Sequence, residues 1–482
     1  MKQAILISTG LLLTTPFIHA EKNKDKKPNV VFILADDLGY GDLSCYGQEK
    51  FETPNIDKLA QSGMRFTQCY SGTTVSAPSR SCLLTGTHSG HTPVRGNLEL
   101  DPEGQFPLPD DARTIFEVMK DAGYKTSAFG KWGLGYIGST GDPKNQGCDT
   151  FYGYNCQLLA HSYYPDHLWD NDKRVELEDN NLNVQYGKGT YSQDLIHGKA
   201  LEYLDNMNPD EPFFMWYPTI IPHAELIVPE DSIIQKFRGM YPEKPYKGTE
   251  PGSPAFRKGG YCSQFHPHAT FAAMVYRLDV YVGQIIQKLK DKGLYDNTII
   301  IFASDNGPHN EGGADPTFFN TEERLRGLKR ALYEGGMRVP YIAYWPGTIE
   351  AGSISDLMAA GWDMMPTFVE LLGEDTDWRE EAMDGLSILP TLTGKGEQRQ
   401  HDFLYWEFHE ENGRQAVRAG DWKLIRQNIK NGNPTHELYN IAEDPHEDNN
   451  LANTYLDKVE ELKVIMDREH IHSDIFNLSL IH

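Results

Sequence analysis

Two residue pairs, Asp36-Asp37 and Asp305-Asn306, stand behind the apolar runs at 30–35 and 298–302, while Lys131 and His223 come after two further runs at 125–129 and 213–217. Runs of that length bounded by polar residues read as buried strands. In an open α/β sheet, ligands bind outside the carboxyl ends of the strands. One edge of the sheet is therefore expected to collect three carboxylates, an amide, a lysine and a histidine. A lone Asp-Asp after a strand is ordinary turn chemistry; two such pairs on one edge are not. Three carboxylates and an amide oxygen make a hard oxygen site for Ca²⁺ or Mg²⁺ rather than zinc. Without a cation, their joint burial is costly.

The second segment with chemical capacity is Ser76-Ala-Pro-Ser-Arg80-Ser-Cys-Leu-Leu-Thr-Gly86. Pro78 suits the first turn of a helix, and Arg80, four residues after Ser76, lies on the same side. A serine ahead of a proline is by itself usually a helix cap. A nucleophile at a helix N-terminus beside an arginine suits attack on an anionic ester.

The elements that must position these residues alternate strand and helix through the first three quarters of the chain. Thr53-Pro54 opens a helix with a capping hydroxyl and Gly63 ends it. A long helix over 269–292 carries Phe271, Val275, Leu278, Val282, Ile285 and Leu289 on one face. The stretch 225–268, rich in Pro, Gly, Tyr and Lys, reads as a long loop. From about residue 397 short strands at 403–408, 415–419 and 422–426 alternate with turns such as Asn412-Gly413, and a helix comes next over 455–470. The expected fold is α/β: a large mixed, mostly parallel sheet sandwiched by helices, plus a smaller C-terminal domain with an antiparallel sheet and a helix. The expected division is 1–20, 21–396 and 397–482.

Residues 1–20 have the layout of a cleaved signal peptide. Lys2 precedes an apolar run at 4–13, and Ala20 precedes a charged stretch. Export, most simply to a periplasm, is the expectation, with no membrane span, since no apolar run is long enough. The formal charge is 45 − 69 = −24, which argues against nucleic acid and anionic membranes as partners. A small anionic substrate then needs a local cluster of Lys, Arg and His. The six cysteines, Cys45, Cys69, Cys82, Cys148, Cys156 and Cys262, form no CxxC pair. That argues against a zinc knuckle, while disulfides remain allowed in an oxidising compartment.

Ser76-x-Pro78-Ser79-Arg80, with Leu84-Thr85-Gly86 after it, resembles the formylglycine signature of the type I sulfatases, in its serine form, within the alkaline phosphatase superfamily. Gly130-Lys-Trp-Gly-Leu-Gly135, Ala303-Ser-Asp-Asn-Gly307, Leu325-Arg-Gly-Leu-Lys329, Tyr333-Glu-Gly-Gly336 and Glu437-Leu-Tyr-Asn440 resemble further motifs of bacterial arylsulfatase A-like carbohydrate sulfatases. They cover nearly the whole chain, in order. The resemblance implies one Ca²⁺ held by Asp36, Asp37, Asp305, Asn306 and residue 76, and Ser76 converted to formylglycine (3-oxoalanine) by a serine-oxidising maturation enzyme. It also implies that Arg80, Lys131, His223 and Lys329 surround the sulfate, with His223 or Lys329 assisting the leaving group.

One position departs from the pattern. Many relatives carry Lys-Trp-His where this chain has Lys131-Trp-Gly133, so either another base, with His309 a candidate, or water takes over; His309 equally suits lining a loop or contacting substrate. Aromatic and polar residues around 151–164 and 405–409, including His161 and His409, suit a sugar. The implied activity is hydrolysis of an O-sulfate ester on a glycan sugar of galactose or N-acetylgalactosamine type. The alternatives are a phosphatase or phosphodiesterase of the same superfamily and a catalytically silent glycan binder.

Overall fold

The computed structural model of the protein describes residues 26–180, 188–250, 260–321, 324–373 and 383–480; the expected signal peptide lies outside them. In chain order the strands are β1 (Asn29–Asp36), β2 (Met64–Phe66), β3 (Cys69–Tyr70), β4 (Lys125–Lys131), β5 (Thr150–Tyr154) and β6 (His167–Asp170). Next come β7 (Lys173–Glu176), β8 (Phe213–Pro222), β9 (Thr298–Ser304), β10 (Tyr341–Tyr344), β11 (Ser353–Ser355) and β12 (Ala359–Ala360). Ten of them form one sheet in the order β11-β2-β10-β9-β1-β8-β4-β5-β6-β7. The central five, β9-β1-β8-β4-β5, are all parallel. β10, β6 and β7 run antiparallel to their neighbours.

Successive side chains of a strand face opposite sides of its sheet, so β1 feeds two separate cores. Val31, Ile33 and Ala35 join one with Ile196 and Leu204 of helix Ser192–Asp205 and with Val275, Leu278 and Val282 of helix Pro267–Asp291. Val30, Phe32 and Leu34 join the other with Leu84 of helix Ser76–Thr85, Phe116 of Ile115–Asp121 and Phe368 of Met364–Leu372. Both faces are thus covered, as parallel strands require. Among the described residues no helix is long and apolar enough to cross a membrane.

A four-stranded antiparallel sheet completes the chain: β13 (Leu404–Phe408), β14 (Arg414–Ala419), β15 (Trp422–Gln427) and β16 (Thr435–Asn440), backed by helix Leu456–Glu469. Its other face packs Trp406, Phe408 and Ile425 against Tyr70, Val75 and Trp362. At this joint Lys423, fully buried, sits 2.9 Å from both Glu334 and Glu447. Burial pushes the Glu447 carboxyl up to about 7 despite Lys423, with the Glu334 charge adding to the rise.

Two expectations need correction. Thr53 does not cap its helix, Pro54–Ser62; its hydroxyl contacts Ser44 and Asp57. Asp279 of the long helix takes the free N–H groups of Asn55 and Ile56 instead, each at 2.8 Å. The stretch 225–268 is not all loop: Asp231 accepts from Ile233 N and Ile234 N and caps helix Ser232–Phe237, while residues 251–259 lie outside the described ones. No disulfide joins the six cysteines, and Cys82 is buried within its helix.

Lys423→Met removes the cation shared by two buried carboxylates, which costs about 3–5 kcal/mol when the partner charges stay behind. Guanidinium unfolding is expected to show that loss, and Glu447→Gln a much smaller one.

Candidate active site

Strand order brings the chemistry together. β9, β1, β8 and β4 are consecutive and parallel, so Asp305, Asp36, His223 and Lys131 meet at one edge. Two adjacent aspartates should point to opposite faces of a strand. Here the register of β1 on β8 shifts between Leu34 and Asp36, and Asp37 adopts a left-handed φ of 63°. That turn, which Asp tolerates better than bulkier residues, lets both carboxylates enter one centre. Asp305 Oδ1 accepts from Asp37 N at 3.1 Å and holds the turn.

Ser76 begins the buried helix Ser76–Thr85, and its hydroxyl donates to Asp36 Oδ1 at 3.0 Å. Val75, at the N-cap, offers no side-chain acceptor. Asn97 Oδ1 supplies one, accepting from Ala77 N at 3.0 Å. One turn along, Arg80 donates through Nε and Nη2 to Asp305 Oδ2 at 3.1 and 2.9 Å, and lies 3.5 Å from Asp36 Oδ2. Lys131 pairs with the same Asp36 oxygen. Lys329 donates to Asp37 Oδ2 (2.9 Å), His223 Nε2 (3.0 Å) and Glu311 Oε2 (3.4 Å).

The centre is therefore a lattice of buried opposite charges. Burial raises the Asp36 carboxyl, but Lys131, His223 and Arg80 together hold it well below the usual carboxylate range. Asp37 is likewise lowered, burial being outweighed by Lys329 and His223. Asp305 goes the other way: burial and the Asp36 charge push it up to about 6, against Arg80 and Lys131. Carboxylates so crowded that one is driven toward neutrality are what a divalent cation relieves. Asn306 donates its amide N–H to Asp37 Oδ1 at 2.7 Å. Its own Oδ1 is buried with no hydrogen-bond partner. That orphaned oxygen, with the three carboxylates, fits a hard cation by its chemistry.

Three imidazoles line the other side. The His161 ring stacks on His223 at 5.2 Å between centroids, and His309 lies 5.9 Å beyond. His223 Nδ1 donates to the Ala224 carbonyl, so its Nε2, facing Lys329, carries no proton. Burial and the Lys329 charge push His223 down to about 4, with Asp37 and Asp36 opposing. Burial, with the charges of His223, Lys329 and Lys131, pushes His161 down to about 3.

The replacement base expected at His309 does not have a free nitrogen here. Its Nδ1 accepts from Glu311 N (3.1 Å), and its Nε2 donates to the Pro222 carbonyl (3.0 Å). His409 stands apart from this cluster, donating to the Arg95 carbonyl at 3.2 Å with its ring over Gly96. Arg95, whose carbonyl it holds, lies two residues before Asn97. Sequence reasoning misses Asn97 and Glu311. Glu311 has a faint signal, its place on the loop after Asp305-Asn306; Asn97 has none.

Residues 28–374 match the family model described as Sulfatase, and residues 327–471 that described as N-sulphoglucosamine sulphohydrolase, C-terminal. Human arylsulfatase A is 32% identical over 88% of this chain and 83% of its own length. An N-acetylgalactosamine-6-O-sulfatase of Bacteroides thetaiotaomicron is 29% identical over 92% and 93%. Among solved structures, Ps i-CgsB in complex with k-i-k-neocarrahexaose superposes with a TM-score of 0.74 at 26% identity, covering 92% of this chain and 94% of that one.

Asn97→Ala strips the Ala77 N–H of its acceptor at the start of the helix. A loss of about 1–2 kcal/mol is expected, read as a lower unfolding midpoint, with Asn97→Asp retaining most of the stability.

Proposed function

The chain belongs to the sulfatase family and is a sulfuric ester hydrolase, and from that premise we propose that it removes an O-sulfate from a sugar of a sulfated glycan. Within that class, a galactose-type sugar is the reading supported by the N-acetylgalactosamine-6-O-sulfatase relative. The single observation that carries the assignment to residues is the convergence of Ser76, Arg80, Lys131, Lys329 and His223 on the carboxylate cluster.

In this reading Asp36, Asp37, Asp305, Asn306 and residue 76 hold a calcium ion. The orphaned Asn306 Oδ1 and the crowding that raises Asp305 support it. The ion supplies positive charge beside the attacking and sulfate oxygens. Residue 76, oxidised from serine to formylglycine, supplies a hydrated aldehyde, with one hydroxyl for attack on sulfur and a second whose deprotonation expels sulfate. The remaining work falls to side chains already in place. With a cation held by the carboxylates, Arg80 and Lys131 would be free of Asp305 and Asp36 to bind sulfate oxygens. Lys329 holds the proton that His223 Nε2 lacks, which makes Lys329 the donor to the departing sugar oxygen, with His223 orienting it.

Export through the leader at 1–20 and maturation by a serine-oxidising enzyme are part of the same proposal. The opposing charges at the centre and the net charge of −24 favour a single small anionic group as the recognised element, not a polyanion tract.

The test is release of inorganic sulfate from 6-O-sulfated N-acetylgalactosamine and galactose by protein matured in a serine-oxidising host. Ser76→Ala is expected to fold normally and to lose at least about 10³-fold in kcat. Turnover of phosphate monoesters in preference to both sulfated sugars contradicts the proposal. Calcium is expected to raise the melting temperature of the wild type, and Asn306→Ala to blunt that rise. An equal rise in both removes Asn306 from the cation site.

A further inference from the structure

The reactions assigned above leave one group of buried polar side chains unused. Two residues beyond Lys131 the backbone turns at Gly133 with φ 73°, and a β-carbon there would lie 2.7 Å from Gln157 Nε2. The Gln157 amide thus fills the space that a side chain at position 133 would enter. Its Nε2 has no hydrogen-bond partner, and neither have Gln105 Nε2 and Asn155 Oδ1. Gln157, Gln105 and Asn155 are 3%, 0% and 1% exposed, the same depth as Ser76 and Lys131 at 1% each.

These atoms belong to one cluster whose orientations are set by their other contacts. Gln105 Oε1 accepts from Gln157 N at 3.2 Å, which fixes the orientation of its amide. Asn155 engages the Glu103 carboxylate through its own amide, and its backbone carbonyl accepts from Gly133 N at 3.1 Å. The cluster also adjoins the centre on two sides. Asn155 comes directly after β5, the strand paired with the Lys131 strand, and the segment ending at Gln105 begins at Asn97, which holds Ala77 N beside Ser76. Leu98, Tyr136 and Leu158, all exposed, border it, with the Tyr136 ring against Gly104.

A buried amide atom with no partner is costly, and native proteins keep few of them. Two free donors and one free acceptor, without a cation among them and with Glu103 behind, do not suit a second anion. They suit a hydroxyl, which accepts and donates at once. We infer that Gln105, Asn155 and Gln157 form the subsite that reads a free ring hydroxyl of the substrate beside its sulfate ester. This rests on the sulfatase reading above. Gln157 Nε2 donates to that hydroxyl and Asn155 Oδ1 accepts from it, while the apolar rim meets the C–H face of the sugar.

The experiment measures binding by calorimetry to calcium-loaded protein in which residue 76 remains serine. The two probes are N-acetylgalactosamine 6-sulfate and 4-nitrophenyl sulfate, which has no ring hydroxyl. Gln157→Leu is expected to weaken the sugar sulfate about tenfold or more and to leave the aryl sulfate within about twofold. Gln157→Met, close in size and uncharged, guards against a folding defect and is expected to behave the same way. Equal losses on both probes, or none on either, overturn the inference and leave the sulfatase reading standing. A wild-type chain that binds neither probe and, once matured, hydrolyses neither ester counts against that reading and takes the inference with it.

Discussion

The structure depends on one constraint: Asp36, Asp37 and Asp305 are buried together at the carboxyl edge of the sheet and must be neutralised there. Three elements exist in their present form to meet it. The helix Ser76–Thr85 is buried along its whole length, so that Arg80 can reach two of the carboxylates. β4 ends on Lys131 against the same oxygen of Asp36. The segment before β10 returns Lys329 to Asp37. Removing one partner from such a lattice is far costlier than replacing the whole of it with apolar groups, which is why these charges form a unit.

The same constraint prepares the chemistry. A lattice that balances itself without ligand has its cations occupied by carboxylates and one carboxyl, Asp305, pushed toward its neutral form. In the proposed reading, a hard cation on those oxygens would leave Arg80 and Lys131 free for an anionic ester. Charges already fixed at the place where charge develops need no reorganisation during reaction. His223 shows the same economy: its Nδ1–H is committed to a backbone carbonyl, and this sets which nitrogen faces Lys329 and where the proton resides.

Much of this is legible in the sequence because it depends on strand ends. Four apolar runs ending in Asp, Asp, Lys and His predict one reactive edge if the strands are parallel and adjacent, and they are. The motifs around Ser76 and Lys329 add the helix and the returning lysine. The illegible part depends on backbone geometry or on partners distant in sequence. Nothing in Asp36-Asp37 announces a left-handed turn that brings both carboxylates to one side. The tie of His309 to two backbone groups is visible only once the loop after Asp305 is folded, and the acceptor Asn97 belongs to a segment with no periodic pattern. Asp279 replacing Thr53 as a helix cap is a tertiary substitution for a local rule. β16 escapes a sequence reading because Thr-His-Glu-Leu-Tyr-Asn, on a sheet edge, lacks the apolar alternation of a buried strand.

The central claim is that Ser76 becomes the nucleophile by oxidation within this charged pocket. The most direct test is the intact mass of the proteolytic peptide carrying Ser76, from protein made in its own host. The account predicts a peptide lighter by the two hydrogens lost when the alcohol becomes an aldehyde, together with its hydrate. A peptide of unmodified serine mass in a preparation that nonetheless hydrolyses sulfate esters would contradict it.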